Sequence, residues 1–98
     1  MIIVIFRSRL KSEAIEAYAE FATKIDALAR VQPGILDFKT FSSPDGERVT
    51  IAHFESEDAV SAWRDHSEHR EAMRRGRDEF YETFTREIAA VTRSREDV

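Results

Sequence analysis

The first residues constrain the fold more than any other stretch of this 98-residue chain. Ile2 to Phe6 form an unbroken run of β-branched and aromatic side chains, which predicts a strand covered on both faces. Successive side chains of a strand point to opposite faces, so Ile3 and Ile5 face away from Ile2, Val4 and Phe6. The chain must therefore supply apolar partners on two sides of its first strand.

Helices and strands are predicted along the rest of the chain. Apolar residues recur at three- and four-residue spacing before Pro33-Gly34, which predicts a helix, and turn residues at 43–47 predict a hairpin. The predicted segments are a strand at 2–10, a helix from its N-cap Ser12 to about Val31, strands at 35–42 and 48–55, a helix from Ser56 that breaks near His66 and resumes over 68–75, a strand at 79–93, and a flexible tail at 94–98.

The order β-α-β-β-α-β predicts one α+β, ferredoxin-like domain over residues 1–98, with an antiparallel four-stranded sheet and the helices on one face. The third strand is also apolar on both sides, with Val49 and Ile51 opposite Ala52 and Phe54. Helices cover only one sheet face, so the other needs a partner. We expect a homodimer with the two sheets packed face to face.

Composition excludes several classes of function. The chain has no cysteine, which excludes disulfides and thiolate chemistry, and this fits a cytoplasmic protein. Its net charge of −4, with both signs interspersed, argues against nucleic-acid binding. The opening apolar run is too short for a signal or membrane segment, so no membrane association is expected.

Several stretches resemble the antibiotic biosynthesis monooxygenase family, in particular its small single-domain bacterial members. They are VIFRSRL near the start, DGERVTIAHFES in the hairpin and AWRDHSEHREAMRRGRDEFYETF after it. The resemblance implies a dimeric α+β barrel. It also implies a monooxygenase that oxidises a small aromatic or quinol-like substrate without metal or flavin. Other members of the family degrade heme.

The candidate site residues combine this resemblance with the chemistry of the side chains. Trp63 matches the helical tryptophan of the quinone-forming and heme-degrading members, and a histidine is the side chain most easily tuned as a base near neutral pH. The predicted catalytic base is His53 or His69, and the predicted substrate-binding residues are Trp63, Tyr81, Phe6, Phe38 and His66. Ordinary core packing or hydrogen bonding is the alternative for each of them.

The family's quinone-forming and heme-degrading members also use an asparagine, and this chain contains none. The position one turn before Trp63 is Ala59. Two alternatives to oxygenation therefore stay open, a non-catalytic small-molecule-binding or stress-response dimer, and a heme protein with His66 or His69 as ligand. His66 and His69 are three residues apart, but a helix break between them weakens a shared metal site, so no metal is predicted.

Overall fold

The computed structural model describes residues 1–96, and its element order confirms the predicted ferredoxin-like α+β fold. The strands are β1 (Ile2–Leu10), β2 (Ile35–Ser42), β3 (Arg48–Phe54) and β4 (Tyr81–Ala90); the helices are α1 (Ile15–Arg30), α2 (Glu57–Asp65) and α3 (Ser67–Arg75), with a 3-10 turn at Ser12–Ala14 and a π-helical turn at Gly76–Phe80. Residues 94–96 of the predicted tail have no regular secondary structure, and residues 97–98 lie outside the described residues. Within residues 1–96, none of the helices combines the length and apolar character needed to cross a membrane.

The four strands form one antiparallel sheet in the order β2-β3-β1-β4. The first strand of the chain is therefore central, with β3 on one edge and β4 on the other. In its middle, Ile5 lies opposite Ile51 of β3 and Glu87 of β4. The two strands that meet on β1 come from distant parts of the sequence, so β1 joins the hairpin to the C-terminal strand.

The sheet has two faces with different roles. The inner face, which the helices cover, carries Val4 and Ala52 opposite each other, and both pack in the core with α1 and α2. The outer face carries Ile5 and Ile51, which also lie opposite each other but point away from the helices because side chains alternate. The predicted two-sided apolar character of β1 and β3 is confirmed.

The core lies at one end of the inner face. Ile2, Ala29, Ala52, Phe54 and Trp63 form a buried cluster there, and the Phe54 and Ala29 side chains are almost completely enclosed. At the other end of β1, the Lys11 backbone N–H donates to the Phe80 carbonyl oxygen at 2.8 Å.

A second group of aromatic rings packs at that other end. The Phe80 ring centroid lies 5.7 Å from that of Tyr18 and 5.2 Å from that of Phe21, and the Tyr81 ring lies 5.8 Å from that of Tyr18. Helix α1 therefore contacts rings at this end and the buried core at the opposite one, and the middle of the inner face lies between the two packed ends.

The helix starts differ in how they are capped. Ser56 caps α2 as predicted, because its hydroxyl accepts a hydrogen bond from the Ala59 backbone N–H at 3.1 Å. The predicted N-cap role of Ser12 is wrong. Ser12 lies inside the 3-10 turn and its hydroxyl bonds the Glu13 carboxylate, so α1 begins only at Ile15 without a side-chain cap.

The predicted break at His66 is confirmed, and α3 begins one residue earlier than predicted, at Ser67. His66 has extended backbone angles between α2 and α3, and its Nδ1 accepts a hydrogen bond from the Glu68 backbone N–H at 3.3 Å. The predicted last strand at 79–93 is too long at both ends, since it starts two residues later and ends at Ala90. The chain continues in a π-helical turn through Phe80, so β4 begins at Tyr81.

Gly34 and Gly46 offer a matched pair of substitutions, because both have positive φ, at 82° and 93°. A Cβ at Gly34 would lie 2.6 Å from the Ala59 Cβ, whereas a Cβ at Gly46 would meet nothing within 4 Å. Gly46→Ala should lower the free energy of unfolding by about 1 kcal/mol from backbone strain alone. Gly34→Ala should lower it by about 2–4 kcal/mol, because overpacking is added to the strain. Urea denaturation of both variants checks the difference, and equal losses would contradict the close packing of Gly34 on α2.

Candidate functional site

A cavity of about 640 Å³ lies between the inner face of the sheet and the three helices. Apolar and aromatic side chains form most of its lining. The lining reaches the surface along β4, where Phe84 is 43% exposed and Ile88 is 56% exposed. A concave, mostly apolar cavity with a few polar groups is the usual form of a small-molecule site.

Five of the seven residues predicted from the sequence line this cavity together. They are Phe6, Phe38, Trp63, His69 and Tyr81. They come from β1, β2, α2, α3 and the start of β4, so the site is assembled from nearly the whole chain. His53 and His66, the other two, are not part of the lining.

Trp63 and His69 form the most closely coupled pair in the cavity wall. Their rings are stacked, with centroids 4.2 Å apart and planes inclined by 19°. His69 Nδ1 lies 3.0 Å from the Trp63 carbonyl oxygen. Side chains six residues apart on a continuous helix are separated by about 120° around its axis and would not meet. The break at His66 turns α3 back and brings the two rings into contact.

This hydrogen bond fixes which nitrogen of His69 carries the proton. The Trp63 carbonyl oxygen can only accept, so Nδ1–H donates to it, and in the neutral ring Nε2 keeps its lone pair. Nε2 makes no hydrogen bond within residues 1–96. Burial lowers the pKa of His69 to about 4, the hydrogen bond to Trp63 opposes that shift, and the Arg86 charge adds to it. The ring is therefore neutral near pH 7, and its Nε2 is an acceptor without a hydrogen-bond partner among residues 1–96.

Tyr81 lies at the opposite end of the cavity from the buried core. Its ring packs 5.3 Å from Phe6 and 5.8 Å from Tyr18. Burial, and then the neighbouring Tyr18, raise the pKa of the Tyr81 hydroxyl well above its ordinary value. The phenol therefore stays protonated, and hydrogen bonding to Tyr18 contributes to the shift. Gly76 makes this position possible, because a Cβ at residue 76 would collide with the Tyr81 ring.

The structure separates the two histidines predicted as bases. His53 is on β3, where it pairs with Ile3 of β1. Its side chain points to the same side of the sheet as that of Ile51. It therefore belongs to the outer face, away from Trp63 and His69. The His66 ring lies 6.0 Å from that of Trp63, and its Nδ1 is engaged in capping α3. Of the three histidines, His69 is the one that lines the cavity.

Two arginines on the sheet that sequence reasoning missed also line the cavity. Arg48 is in phase with Ala52 and Phe54 on β3, and Arg86 is in phase with Ile88 on β4. The signal was present in the sequence, since a charged residue in the apolar phase of a strand is unusual. The two arginines could be assigned to the cavity only once the structure showed which sheet face the helices cover. In the part of the chain that the structure describes, no group of three or more His, Asp or Glu side chains could hold a metal ion.

Comparison with known proteins places the chain in a family. The family model described as antibiotic biosynthesis monooxygenase matches residues 1–75. The chain belongs to the antibiotic biosynthesis monooxygenase family. It is also 39% identical over 92 residues to the uncharacterized protein YqjZ of Bacillus subtilis, a match that covers 94% of this chain and 80% of YqjZ.

Solved structures share the fold of this family member. Rv0793 from Mycobacterium tuberculosis superimposes with a TM-score of 0.87 at 17% identity, covering 97% of this chain and 98% of that one. A candidate antibiotic biosynthesis monooxygenase from Nitrosomonas europaea superimposes with a TM-score of 0.83, also at 17% identity, covering 95% of this chain and 100% of that one. At such low identity these likenesses establish the common fold.

The His69 environment makes a prediction about pH. The folded-state pKa of about 4 lies below the ordinary value of 6.5, so the unfolded chain binds more protons between these values. The contribution of His69 to stability is therefore present above pH 6.5 and is lost as the pH falls towards 4. NMR titration of the imidazole should give a midpoint near 4, and His69→Gln should flatten the stability profile in this window. A midpoint near 6.5 would contradict the buried, neutral ring.

Proposed function

We propose that this family member is a cofactor-independent monooxygenase that oxidises a small aromatic or quinol-like substrate in the cavity. One observation carries the proposal. A neutral His69, stacked on Trp63 and held by its carbonyl oxygen, has an unoccupied acceptor nitrogen and lines an apolar cavity. A base beside a flat aromatic wall suits a phenol whose proton must be removed.

The reaction balances without a cofactor. His69 Nε2 takes the phenol proton, and the phenolate gives an electron to dioxygen. The two radicals combine to form a carbon–oxygen bond at the ring carbon para to the hydroxyl. The protonated His69 returns its proton to the peroxide. His69 then removes that carbon's proton as the O–O bond breaks, and the departing hydroxide takes this proton to become water and leave a quinone. One oxygen atom becomes the new carbonyl oxygen of the quinone and the other becomes water. The phenol supplies all four electrons.

The low pKa of His69 keeps it available as a base, but it also makes it a weak one. Proton transfer therefore depends on a phenolate being stabilised nearby. The positive charge of Arg86, which lowers the pKa of His69, lowers the pKa of a phenol at the same place for the same reason. We propose that Arg86 supports the phenolate while His69 takes the proton.

The apolar walls have two roles in this proposal. Phe6 and Phe38 lie on the sheet side of the cavity and Trp63 lies on the helix side, so both layers present aromatic rings to a substrate. The Phe38 and Trp63 rings meet edge to face, with centroids 6.5 Å apart. Such walls exclude water, which strengthens the charge interactions of the phenolate and protects the peroxide intermediate. A substrate oxygen beside Tyr81 would compete with Tyr18 for the hydrogen bond of the Tyr81 hydroxyl.

Binding without turnover is the second candidate, as in a small-molecule-binding or stress-response module. It is favoured by the side chain one turn before Trp63, which is Ala59. Its methyl group packs beside the core and would lie against a Cβ at Gly34, so no amide is present at this position to hold substrate or dioxygen. Absence of turnover with a tightly bound phenol would favour this candidate.

Heme is the third candidate, and the residues fit it at one point. His69 Nε2 has an available lone pair, whereas His66 Nδ1 accepts from Glu68, so in the neutral ring His66 Nε2 carries the proton. His69 would hold the iron, and a bound heme would supply oxygen activation. Titration with hemin tests this candidate, since the absence of a Soret shift would eliminate it.

We further propose that two copies pair through the outer face. Ile3, Ile5, Val49 and Ile51 lie on adjacent strands there and remain partly exposed in one chain. The Arg7–Glu47 ion pair, with N and O 2.8 Å apart, lies at the edge of this apolar group. An apolar centre with a charged rim is the common form of a homodimer interface.

Substitution of His69 tests the catalytic role. His69→Gln should lower kcat for conversion of 1-naphthol to 1,4-naphthoquinone by about 100-fold, the lower end for loss of a general base, because the base is weak. His53→Gln is the matched control, since His53 lies on the other face of the sheet. Oxygen uptake and quinone absorbance measure both. An equal loss in His53→Gln, or none in His69→Gln, would overturn the assignment.

The dimer proposal predicts a change in mass. Ile51→Glu should convert the dimer to monomer, because two unpaired carboxylates would be buried at the interface. Val31→Glu is the control, since Val31 is an apolar residue 74% exposed beyond the end of α1. Sedimentation at micromolar concentration should show the halved mass in Ile51→Glu alone.

A further inference from the structure

Arg48 is placed in the cavity without an acceptor for its charge. Its Nε is buried and has no hydrogen-bond partner within residues 1–96. Its guanidinium carbon lies 5.0 Å from the centre of the Tyr18 ring, and the side chain lines the cavity. A buried guanidinium nitrogen that lacks an acceptor costs free energy, because water no longer solvates it.

Arg86 brings a second positive charge to the same cavity. Its guanidinium carbon lies 5.7 Å from the centre of the Phe6 ring. The charges of Arg48 and Arg86 both lower the pKa of Tyr81, against the effect of burial, so both fields reach its hydroxyl. The two side chains start from strands on either side of β1, yet both act on the same part of the cavity.

The other charges of the lining are already neutralised. Arg64 pairs with Asp65, and Arg77 lies 3.9 Å from Asp78. Among the described lining residues the one carboxylate is Asp26, and Arg30 holds it at 2.8 Å.

Arg48 and Arg86, in contrast, form no ion pair with a carboxylate of residues 1–96. Although the whole chain has a net charge of −4, the sheet side of the cavity is positive.

We infer that the cavity binds an aromatic acid, whose carboxylate is held by Arg48, with Arg86 in support, beside Tyr18 and Tyr81. This inference rests on the proposed function, because it names the class of substrate for the same cavity. A guanidinium matches a carboxylate with two parallel hydrogen bonds and stacks on aromatic rings, as Arg48 does on Tyr18. The ligand then supplies the acceptor that Arg48 Nε lacks.

The sheet also indicates how such a ligand lies. Arg48 is four residues from Ala52, which packs in the core cluster with Trp63, and four residues of strand span about 13 Å. The acid group would lie at the Tyr18 and Tyr81 end, and the reacting phenol at the Trp63 and His69 end. The charge of Arg86 acts on both Tyr81 and His69, so it can support the carboxylate at one end and the phenolate at the other. A bicyclic acid with its hydroxyl and carboxylate on different rings reaches both, because the arginine side chain covers part of the distance.

Two probes that differ only in the carboxylate test this inference. 5-Hydroxy-2-naphthoic acid should bind wild-type protein at least about tenfold more tightly than 1-naphthol, as a charged hydrogen-bonded pair contributes on this scale. Arg48→Met should abolish that preference and leave the affinity for 1-naphthol within about twofold. Arg86→Met should reduce the preference.

Arg70→Met is the matched control, since Arg70 is exposed on α3 and outside the cavity lining. Isothermal titration calorimetry under nitrogen measures binding without turnover.

The results distinguish failure of the carboxylate site from failure of the oxygenase proposal. Equal affinity for the two probes, no binding of the acid, or a preference that survives in a folded Arg48→Met variant would overturn it. The wild-type comparison needs no variant, so it holds even if Arg48→Met does not fold. If the acid is preferred but oxygen uptake is absent, the anion site stands and the oxygenase proposal fails. If 1-naphthol is oxidised but the acid is not preferred, the reverse holds.

Discussion

The structure depends on the position of β1 between two strands that come from distant parts of the chain. Its backbone hydrogen-bonds to β3 on one edge and to β4 on the other, and its side chains are apolar on both faces. Burial of those side chains requires cover on both sides. The helices give that cover on the inner face, and Ile2 and Val4 pack with them in the core. Further along β1, at Phe6, the same face borders the cavity.

The helix side of the cavity wall depends on the interruption between α2 and α3. A single long helix after β3 would carry Trp63 and His69 on different sides, but His66 interrupts it and caps the next helix. As a result, the backbone carbonyl of Trp63 sets the tautomer and orientation of the His69 ring. The π-helical turn after α3 has a similar effect at the other end. It delivers Tyr81 into the space left by the missing side chain of Gly76.

The sequence predicted the fold well, because long apolar runs and turn residues are local signals. It predicted five of the cavity residues, although their chemistry depended on the resemblance to a family. It could not decide between the two faces of β3, since Ile51 and Ala52 are both apolar. His53 was therefore considered as a base and Arg48 was overlooked, and only the side on which the helices pack separates them. Ser12 failed as a cap for a different reason, since a 3-10 turn of three residues precedes α1 and leaves no sequence signal.

Trp63 is the only tryptophan of the chain, and the residue is 7% exposed in the wall of the cavity. All indole fluorescence of the protein therefore comes from a ring that stacks on His69 and borders the binding space. Protonation of the imidazole, or a molecule placed against the indole, alters that emission without any label. The cavity thus contains its own optical reporter, and ligand screening needs neither a known reaction nor a modified protein.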